Sequence, residues 1–556
     1  MMIQMTGAEL ILRLLERQGI RTVAGIPGGA ILPLYDALSG SKLIRHVLAR
    51  HEQGAGFIAQ GMARVSGRPE VCFASSGPGA TNLVTAIADA HLDSIPMVAI
   101  TGQVPLSMIG TDAFQEADIY GMTVPVTKHN FLVRSAAELL EVIPDAFRLA
   151  MSGRPGPVLI DIPKDVQTQV VSFDAFPLPA IPNAAPASDP DAIEEAARLI
   201  NAAERPVLYV GGGVIHSGAA QQIVMLAERA GLPTTMTLMA LGVMPIDHPL
   251  SLGMLGMHGA RYTNFILEES DLLICVGARF DDRAIGKAAQ FCPRAKIVHI
   301  DIDPSELHKI RNAHVAINGD VGVVLDALLP RVNIRLRKRW LSHVGSLKSR
   351  FPLHMPRLED PRSPYGLVQA VACAVSDEAV VTTDVGQHQM WVAQAYPFRR
   401  PRQWLTSGGF GTMGFGLPVA VGAALAAPAR TVICFTGDGS FKMNIQELAT
   451  LAEEGLNVKI VLMNNNSLGL VYQQQSLFYG KRVFASKYQG APDFLKIAEG
   501  FGIDGVDLDT VRNPRAALAQ ALNAPGPCLI HASIDCEEFV YPMVPPGGAN
   551  TEMIGG

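Results

Sequence analysis

Between residues 432 and 465 the apolar and polar positions follow a changing rhythm. An apolar run at 432–435 reads as a buried strand, and Gly437-Asp438-Gly439 breaks it. Residues 443–454 then carry apolar side chains at helical spacing, and a second apolar run at 458–463 stops on Asn464-Asn465. The pattern predicts strand, helix, strand, with polar groups at both carboxyl ends, where open parallel sheets take their ligands. Residues 71–102 repeat the plan: an apolar strand, the small-residue turn Ser76-Gly77-Pro78-Gly79, an Ala-rich helix and another strand. From residue 6 to about 165 helices and strands alternate, as a parallel sheet requires. A further alternating region has punctuated strand ends at 206–214, 272–283 and 297–304.

The fold class this predicts is α/β, with three doubly wound parallel-sheet domains, the first and third on one plan. Expected spans are 1–170, 191–330 and 364–540. Residues 171–190, rich in Pro and Ala, and residues 331–363 read as linkers. The basic stretch 331–350 reads as a solvated helix, residues 1–20 as one amphipathic helix, and the aperiodic tail 541–556 as a mobile flap.

Composition narrows the function classes. With 48% hydrophobic and 17% charged residues the chain is globular. A formal charge of −6 leaves no basic footprint for nucleic acid. No run is long and apolar enough to span a bilayer, and the start lacks the regions of a secretory signal. The 7 cysteines are scattered with no C-x-x-C pair, which predicts a reducing cytoplasm, no disulfide framework and no zinc site.

Candidate chemistry sits at the strand ends. Asp438 and Asn465 offer hard oxygens from neighbouring strands, which suits Mg²⁺ bridging a diphosphate, and the glycines let backbone approach phosphate closely. A Gly-Asp-Gly turn or an Asn pair alone is usually only a turn. Glu52, between a strand and a helix, reads alone as a carboxylate favoured at a helix N-terminus. Gly211-Gly212-Gly213 and Asp301 are each explained equally well by turns, but together favour a nucleotide-type ligand. Residues 409–414 spell G-x-G-x-x-G without a preceding apolar strand, and so fail as a dinucleotide fingerprint.

The order of these features resembles thiamine-diphosphate enzymes. Segments such as GIPGGAILP, ARHEQGAGFIAQGMAR, SSGPGATN, GARFDDR, TTDVGQHQMW and GTMGFGLP resemble the catalytic large subunits of the acetohydroxyacid synthase (acetolactate synthase) family along nearly the whole chain. The resemblance implies pyrimidine-binding, central FAD-binding and diphosphate-binding domains, in that order. It implies Mg²⁺ held by Asp438, Asn465 and the Ser467 carbonyl, and Glu52 on the aminopyrimidine. Gly411 would accept from the coenzyme's amino group and Met413 would wedge between its rings. Further coenzyme contacts would be Pro78, Asn82, Val385, Gly386, Gln387, His388, Gly437, Gly439 and Ser440.

FAD, without net redox role, would be held by Arg154, Gly211, Gly212, Gly213, Thr237, Leu238, Leu255, Gly256, Met257, His258, Gly277, Ala278, Arg279, Asp281, Arg283, Asp301 and Asp320. The substrate pocket would involve Gly29, Ala30, Phe114, Gln115 and Lys164 at an interface between two subunits. Most family members have Trp where this chain has Gln474, and the exchange resembles the isozyme I type. The implied activity is decarboxylation of pyruvate and condensation with a second pyruvate or 2-ketobutyrate. A homodimer or homotetramer and a small regulatory subunit are implied as well. The rival readings are a pyruvate oxidase-like thiamine–flavin oxidoreductase and a scaffold that has lost catalysis.

Overall fold

The computed structural model describes residues 2–490 and 492–555. In the first domain the strands are β1 (Ile3–Thr6), β2 (Thr22–Gly25), β3 (Arg45–Leu48), β4 (Glu70–Ala74), β5 (Met97–Gln103), β6 (His129–Leu132), β7 (Pro157–Pro163) and β8 (Val170–Phe173). Six of them form a parallel sheet in the order β3-β2-β4-β5-β7-β6. Strand β5 and strand β7 are buried along their whole length and show no alternation; the polar exceptions Thr101, Gln103 and Asp161 bond one another.

The central sheet uses β9 (Pro206–Val210), β10 (Thr234–Met236), β11 (Ser251–Met254), β12 (Leu272–Val276), β13 (Lys296–Asp301) and β14 (Val315–Asn318). Its order is β11-β10-β9-β12-β13-β14 and all pairs are parallel. Counted within the domain this is 3-2-1-4-5-6, the dinucleotide-binding arrangement. The third sheet uses β15 (Val380–Thr383), β16 (Trp404–Leu405), β17 (Val432–Gly437), β18 (Val458–Asn464), β19 (Asp504–Asp507) and β20 (Cys528–Ser533). Its parallel order is β16-β15-β17-β18-β20-β19. Counted within each six-stranded sheet, the first and third share the order 2-1-3-4-6-5. The repeated strand–turn–helix–strand pattern is thus a repeated topology.

Helix α1 (Glu52–Ser66) of the first domain packs on α2 (Gly416–Ala426) of the third. Glycine makes that approach possible. A Cβ at Gly61 would lie 2.3 Å from the Val419 carbonyl oxygen, and one at Gly422 would lie 2.0 Å from that of Ile58.

Three local expectations change. The amino-terminal stretch is a strand before it is a helix. β1 pairs antiparallel with β8, and Thr6 then caps the helix Gly7–Arg17 through a capping box with Glu9. The basic stretch is half-buried: in the helix Lys338–Arg350, Trp340, Val344 and Leu347 face the core, and Trp340 Nε1 donates to the Pro206 carbonyl at 3.0 Å. The tail is packed and not free. Met543 is fully buried, Val544 N–H donates to Met257 O at 2.9 Å, and Asn550 Nδ2 donates to Ala284 O at 2.8 Å. Among the described residues no helix is long and apolar enough to cross a membrane.

Candidate active site

In the third sheet the strand order reverses between β15 and β17, so the turns after these strands flank a crevice. Residues 384–388 follow β15, and the short helix Asp438–Phe441 follows β17. Asp384 is buried, accepts from Gly416 N–H (2.9 Å) and Thr436 Oγ1 (2.7 Å), and burial pushes its pKa up to about 6. Ser440 Oγ donates to the Val385 carbonyl at 2.9 Å, which joins the two turns. Gly437 stands opposite Met463 in the β17–β18 ladder, so Asp438 and Asn465 leave the sheet side by side.

Asp438 is 1% exposed, and burial holds its carboxyl above the usual range. Its Oδ2 lies 3.3 Å from Lys442 Nζ, while Oδ1 has no hydrogen-bond partner among the described residues. A buried, unpartnered carboxylate oxygen is costly and calls for a cation. Asn465 Oδ1 accepts from Ser467 N–H (3.2 Å) and Oγ (3.0 Å), and Asn465 Nδ2 donates to Gln387 Oε1 at 2.9 Å. The all-oxygen donor set Asp438, Asn465 and Ser467 fits a hard divalent ion. His388 is buried, and burial pushes its imidazole down to about 3, so it is neutral; its Nε2 also has no hydrogen-bond partner among the described residues. A Cβ at Gly437 would come within 2.8 Å of His388 Nδ1, so the ring needs the glycine.

The segment spelling G-x-G-x-x-G is a loop after β16, and the amides at its entry are already committed. Gly408 and Gly409 N–H donate to the Asp93 carboxylate (3.1 and 2.7 Å), and Ser407 and Thr412 hydroxyls donate to Asp89. Arg64 completes the cluster, with Nη2 2.8 Å from Asp93 and Nη1 donating to Thr406 O at 3.0 Å. This buried set ties the loop carrying Gly411 and Met413 to the first domain. Gly411 is exposed at φ +71, and Met413 Cε lies 3.6 Å from where a Gly439 Cβ would be, against the Gly-Asp-Gly turn. Sequence reasoning missed Arg64, Asp89 and Asp93. The available signal was an acid inside an otherwise Ala-rich, apolar helix.

In the first sheet Glu52 opens α1, whose N-cap is His51, and Asn82 Nδ2 donates to Glu52 Oε2 at 2.9 Å. Pro78 and Asn82 bound the short helix after Gly77, close to Glu52. Glu447 Oε1 accepts from Arg50 and His51 N–H (3.0 and 3.1 Å), fixing the entry to α1 from the third domain. A Cβ at Gly77 would meet the Gln115 carbonyl oxygen at 2.6 Å, and Gln115 sits at φ +60. Phe114 beside it is 88% exposed. Lys164 is exposed at the start of the helix Lys164–Thr168, from which Gln167 Nε2 donates to Ala30 O at 2.8 Å, next to Gly29. These groups share the carboxyl rim of the sheet. Among the described residues no hydrogen bond of the single chain links Glu52 to 437–440 or 465–467.

A cavity of about 890 Å³ opens at the switch point of the central sheet. Its wall contains Arg154, Gly211, Gly212, Gly213, Thr237, Leu238, Leu255, Met257, His258, Gly277, Ala278, Arg279, Asp281, Arg283, Asp301 and Asp320. Gly256 lies outside the wall, at φ +90, where a Cβ would strike the Arg283 carbonyl. Gly213 N–H donates to Gly277 O at 2.9 Å, so the two glycine turns also pack on each other. Asp281 and Asp320 cap helices, and Arg154 contacts Asp303 and Glu306 at 3.3 and 3.1 Å. The cavity runs on to Val385, the loop 407–411 and Gln474 on the helix Gly469–Phe478.

Two sister sheets, one bearing a cation-ready acid and one a glutamate at the first turn of a helix, with a dinucleotide-sized cavity beside them, have the architecture of a diphosphate-coenzyme enzyme. Three thiamine pyrophosphate enzyme models match the chain: the N-terminal TPP binding domain over residues 5–122, the central domain over 193–328 and the C-terminal TPP binding domain over 384–532. The chain is 65% identical over 550 residues to the acetolactate synthase isozyme 1 large subunit of Escherichia coli (strain K12), covering 99% of this chain and 98% of that protein. It is 48% identical to the isozyme 2 large subunit of the same organism, covering 99% of each. It is 49% identical to the acetolactate synthase large subunit of Parasynechococcus marenigrum (strain WH8102), over 99% of this chain and 91% of that one. The chain belongs to the acetolactate synthase family of thiamine pyrophosphate enzymes.

Proposed function

We propose that the chain catalyses decarboxylation of pyruvate and condensation of the two-carbon unit with a second 2-keto acid, giving 2-acetolactate or 2-aceto-2-hydroxybutyrate for branched-chain amino acid synthesis. The observation that carries the reading is Asp438, buried with one carboxylate oxygen unpartnered, beside Asn465 at the switch point of a sheet whose topological twin presents Glu52. Thiamine diphosphate, when bound, supplies the electron sink for carbon–carbon cleavage and formation.

The chain supplies the rest. Asp438, Asn465 and the Ser467 carbonyl hold Mg²⁺, and residues 385–388 and 437–440 receive the diphosphate. Glu52 would hydrogen-bond the aminopyrimidine through its carboxyl, while the Gly411 carbonyl would accept from the coenzyme's amino group and Met413 would pack against its rings. Gly29, Ala30, Phe114, Gln115 and Lys164 form the substrate pocket, and Gln474 sets acceptor size. FAD would fit the central cavity, whose volume suits a ligand of that class.

At least a homodimer follows from the same reading. Met108, Ile109, Phe114, Tyr120, Met122 and Val124 are exposed on one stretch of the first domain, a pattern that a second copy covers. The large-subunit relatives support a small regulatory partner, and the buried free cysteines fit a reducing cytoplasm.

The test is anaerobic turnover of pyruvate with Mg²⁺, thiamine diphosphate and FAD. One carbon dioxide per acetolactate with the flavin staying oxidised supports the synthase. Flavin bleaching in each turnover supports the oxidase instead, and no carbon dioxide at all supports the scaffold.

A further inference from the structure

Asp438 and Lys442 are four residues apart on one helical turn, and the Lys442 ammonium sits 3.3 Å from Asp438 Oδ2. The ammonium is also boxed by aromatic rings, 3.5 Å from the Tyr488 centroid and 5.7 Å from that of Phe494. Tyr488 is itself latched to the loop of the proposed metal ligands. Its N–H donates to Asn466 O, its carbonyl accepts from Asn466 Nδ2, both at 3.0 Å, and Lys487 bridges to Ser467. Lys442 is thus held at the site from three sides, with its side chain 26% exposed, and it engages only one of the two carboxylate oxygens.

We propose that Lys442 is a resident counter-cation of the metal site, neutralising Asp438 through Oδ2 while leaving Oδ1 to the divalent ion. The inference rests on the reading of Asp438 as a metal ligand. Its physical content is a charge count. With Lys442 present the Asp438–Lys442 pair is neutral; without it the buried carboxylate carries its full charge, which attracts a divalent cation strongly in a low-dielectric site. Lys442 therefore restrains binding of the bare metal ion. It also adds one positive charge for the coenzyme's anionic diphosphate. Metal and diphosphate are thereby favoured together over metal alone.

The test uses the full chain stripped of metal and coenzyme, with Mn²⁺ as probe, followed by electron paramagnetic resonance. Lys442→Met is expected to bind Mn²⁺ about tenfold more tightly than the native chain, and Lys442→Arg within about twofold of it. Inorganic pyrophosphate, titrated calorimetrically in chelator, is expected to bind Lys442→Met about tenfold more weakly. Lys442→Gln serves the same comparison should the Met variant not fold, and circular dichroism checks each variant. Equal or weaker Mn²⁺ binding by the charge-removed variant overturns the proposal, as does absence of binding in both proteins. Asp438→Asn separates the two readings. If it abolishes Mn²⁺ binding while Lys442→Met leaves it unchanged, only the counter-cation fails; if it keeps Mn²⁺, the metal-ligand reading itself fails.

Discussion

Asn82 donates a hydrogen bond to Glu52 across 2.9 Å, from the short helix Pro78–Asn82 to the first residue of α1. It holds one carboxylate oxygen in place and leaves the other toward Gly79. Glu52→Gln is therefore expected to lower kcat by about 10²–10⁴, the range of a lost acid–base group, with FAD still bound by absorbance. Asn82→Ala is expected to cost about 1 kcal/mol, roughly fivefold in kcat. Steady-state rates with saturating coenzyme check both; near-native rates for Glu52→Gln would remove it from the mechanism.

The Arg64–Asp89–Asp93 cluster predicts a different phenotype. Removing Asp93 leaves Arg64 buried without its nearest carboxylate and frees the amides of Gly408 and Gly409. Asp93→Ala should destabilise the chain by about 3–5 kcal/mol, the cost of breaking a buried pair. Urea unfolding measures it, and coenzyme half-saturation should rise in parallel because the loop bearing Met413 loosens.

Acceptor choice is expected to lie with Gln474, which lines the cavity near the loop 407–411. With Gln the two acceptors should compete nearly evenly, and acetolactate should dominate at high pyruvate. A ring there fills space beside the extra methylene of 2-ketobutyrate, so Gln474→Trp should raise that preference by about 10-fold or more, in line with roughly 1–3 kcal/mol per methylene. Product ratios in mixed-substrate assays decide. Strong 2-ketobutyrate preference in the native chain would sink the assignment.

Stability should also carry a pH signature from Asp161. This carboxyl is 1% exposed, accepts from Thr101 Oγ1 (2.7 Å) and Gln103 Nε2 (2.9 Å), and burial pushes its pKa up to about 7 from 3.8. A folded-state value above the unfolded one gives a contribution fully present below about pH 4 and lost as pH rises through about 7. Asp161→Asn removes that dependence, on the order of 4 kcal/mol for a shift from 3.8 to about 7. Relative to native, the variant should melt higher at pH 8 than at pH 5.

The strand ends that carry the candidate site residues were largely legible because they depend on short-range signals. Strand ends marked by Gly, Asp and Asn announce where ligands sit in a parallel sheet, and Asp438, Asn465 and Glu52 all lie at such ends. What stayed hidden depends on partners distant in sequence. β1 has little buried surface of its own and exists because β8 pairs with it. The helix expected at 443–454 shrinks to Glu447–Glu453, since Asn444 turns to donate to Gly414 O and Gln53 Oε1. The tail is aperiodic because its contacts are single residues reaching the central domain, and Trp340 inside a basic stretch gave the one hint that 338–350 is anchored.

Each six-stranded sheet draws all its strands from one uninterrupted stretch of chain. A polypeptide leaving the ribosome can therefore complete the first unit before the second exists, and the second before the third. What cannot form early is the bond between them. Gly408 and Asp93 are 315 residues apart. The grip on the loop 407–412 thus waits for the third unit, and a nascent chain stalled before that loop holds finished parts of an enzyme that cannot yet work.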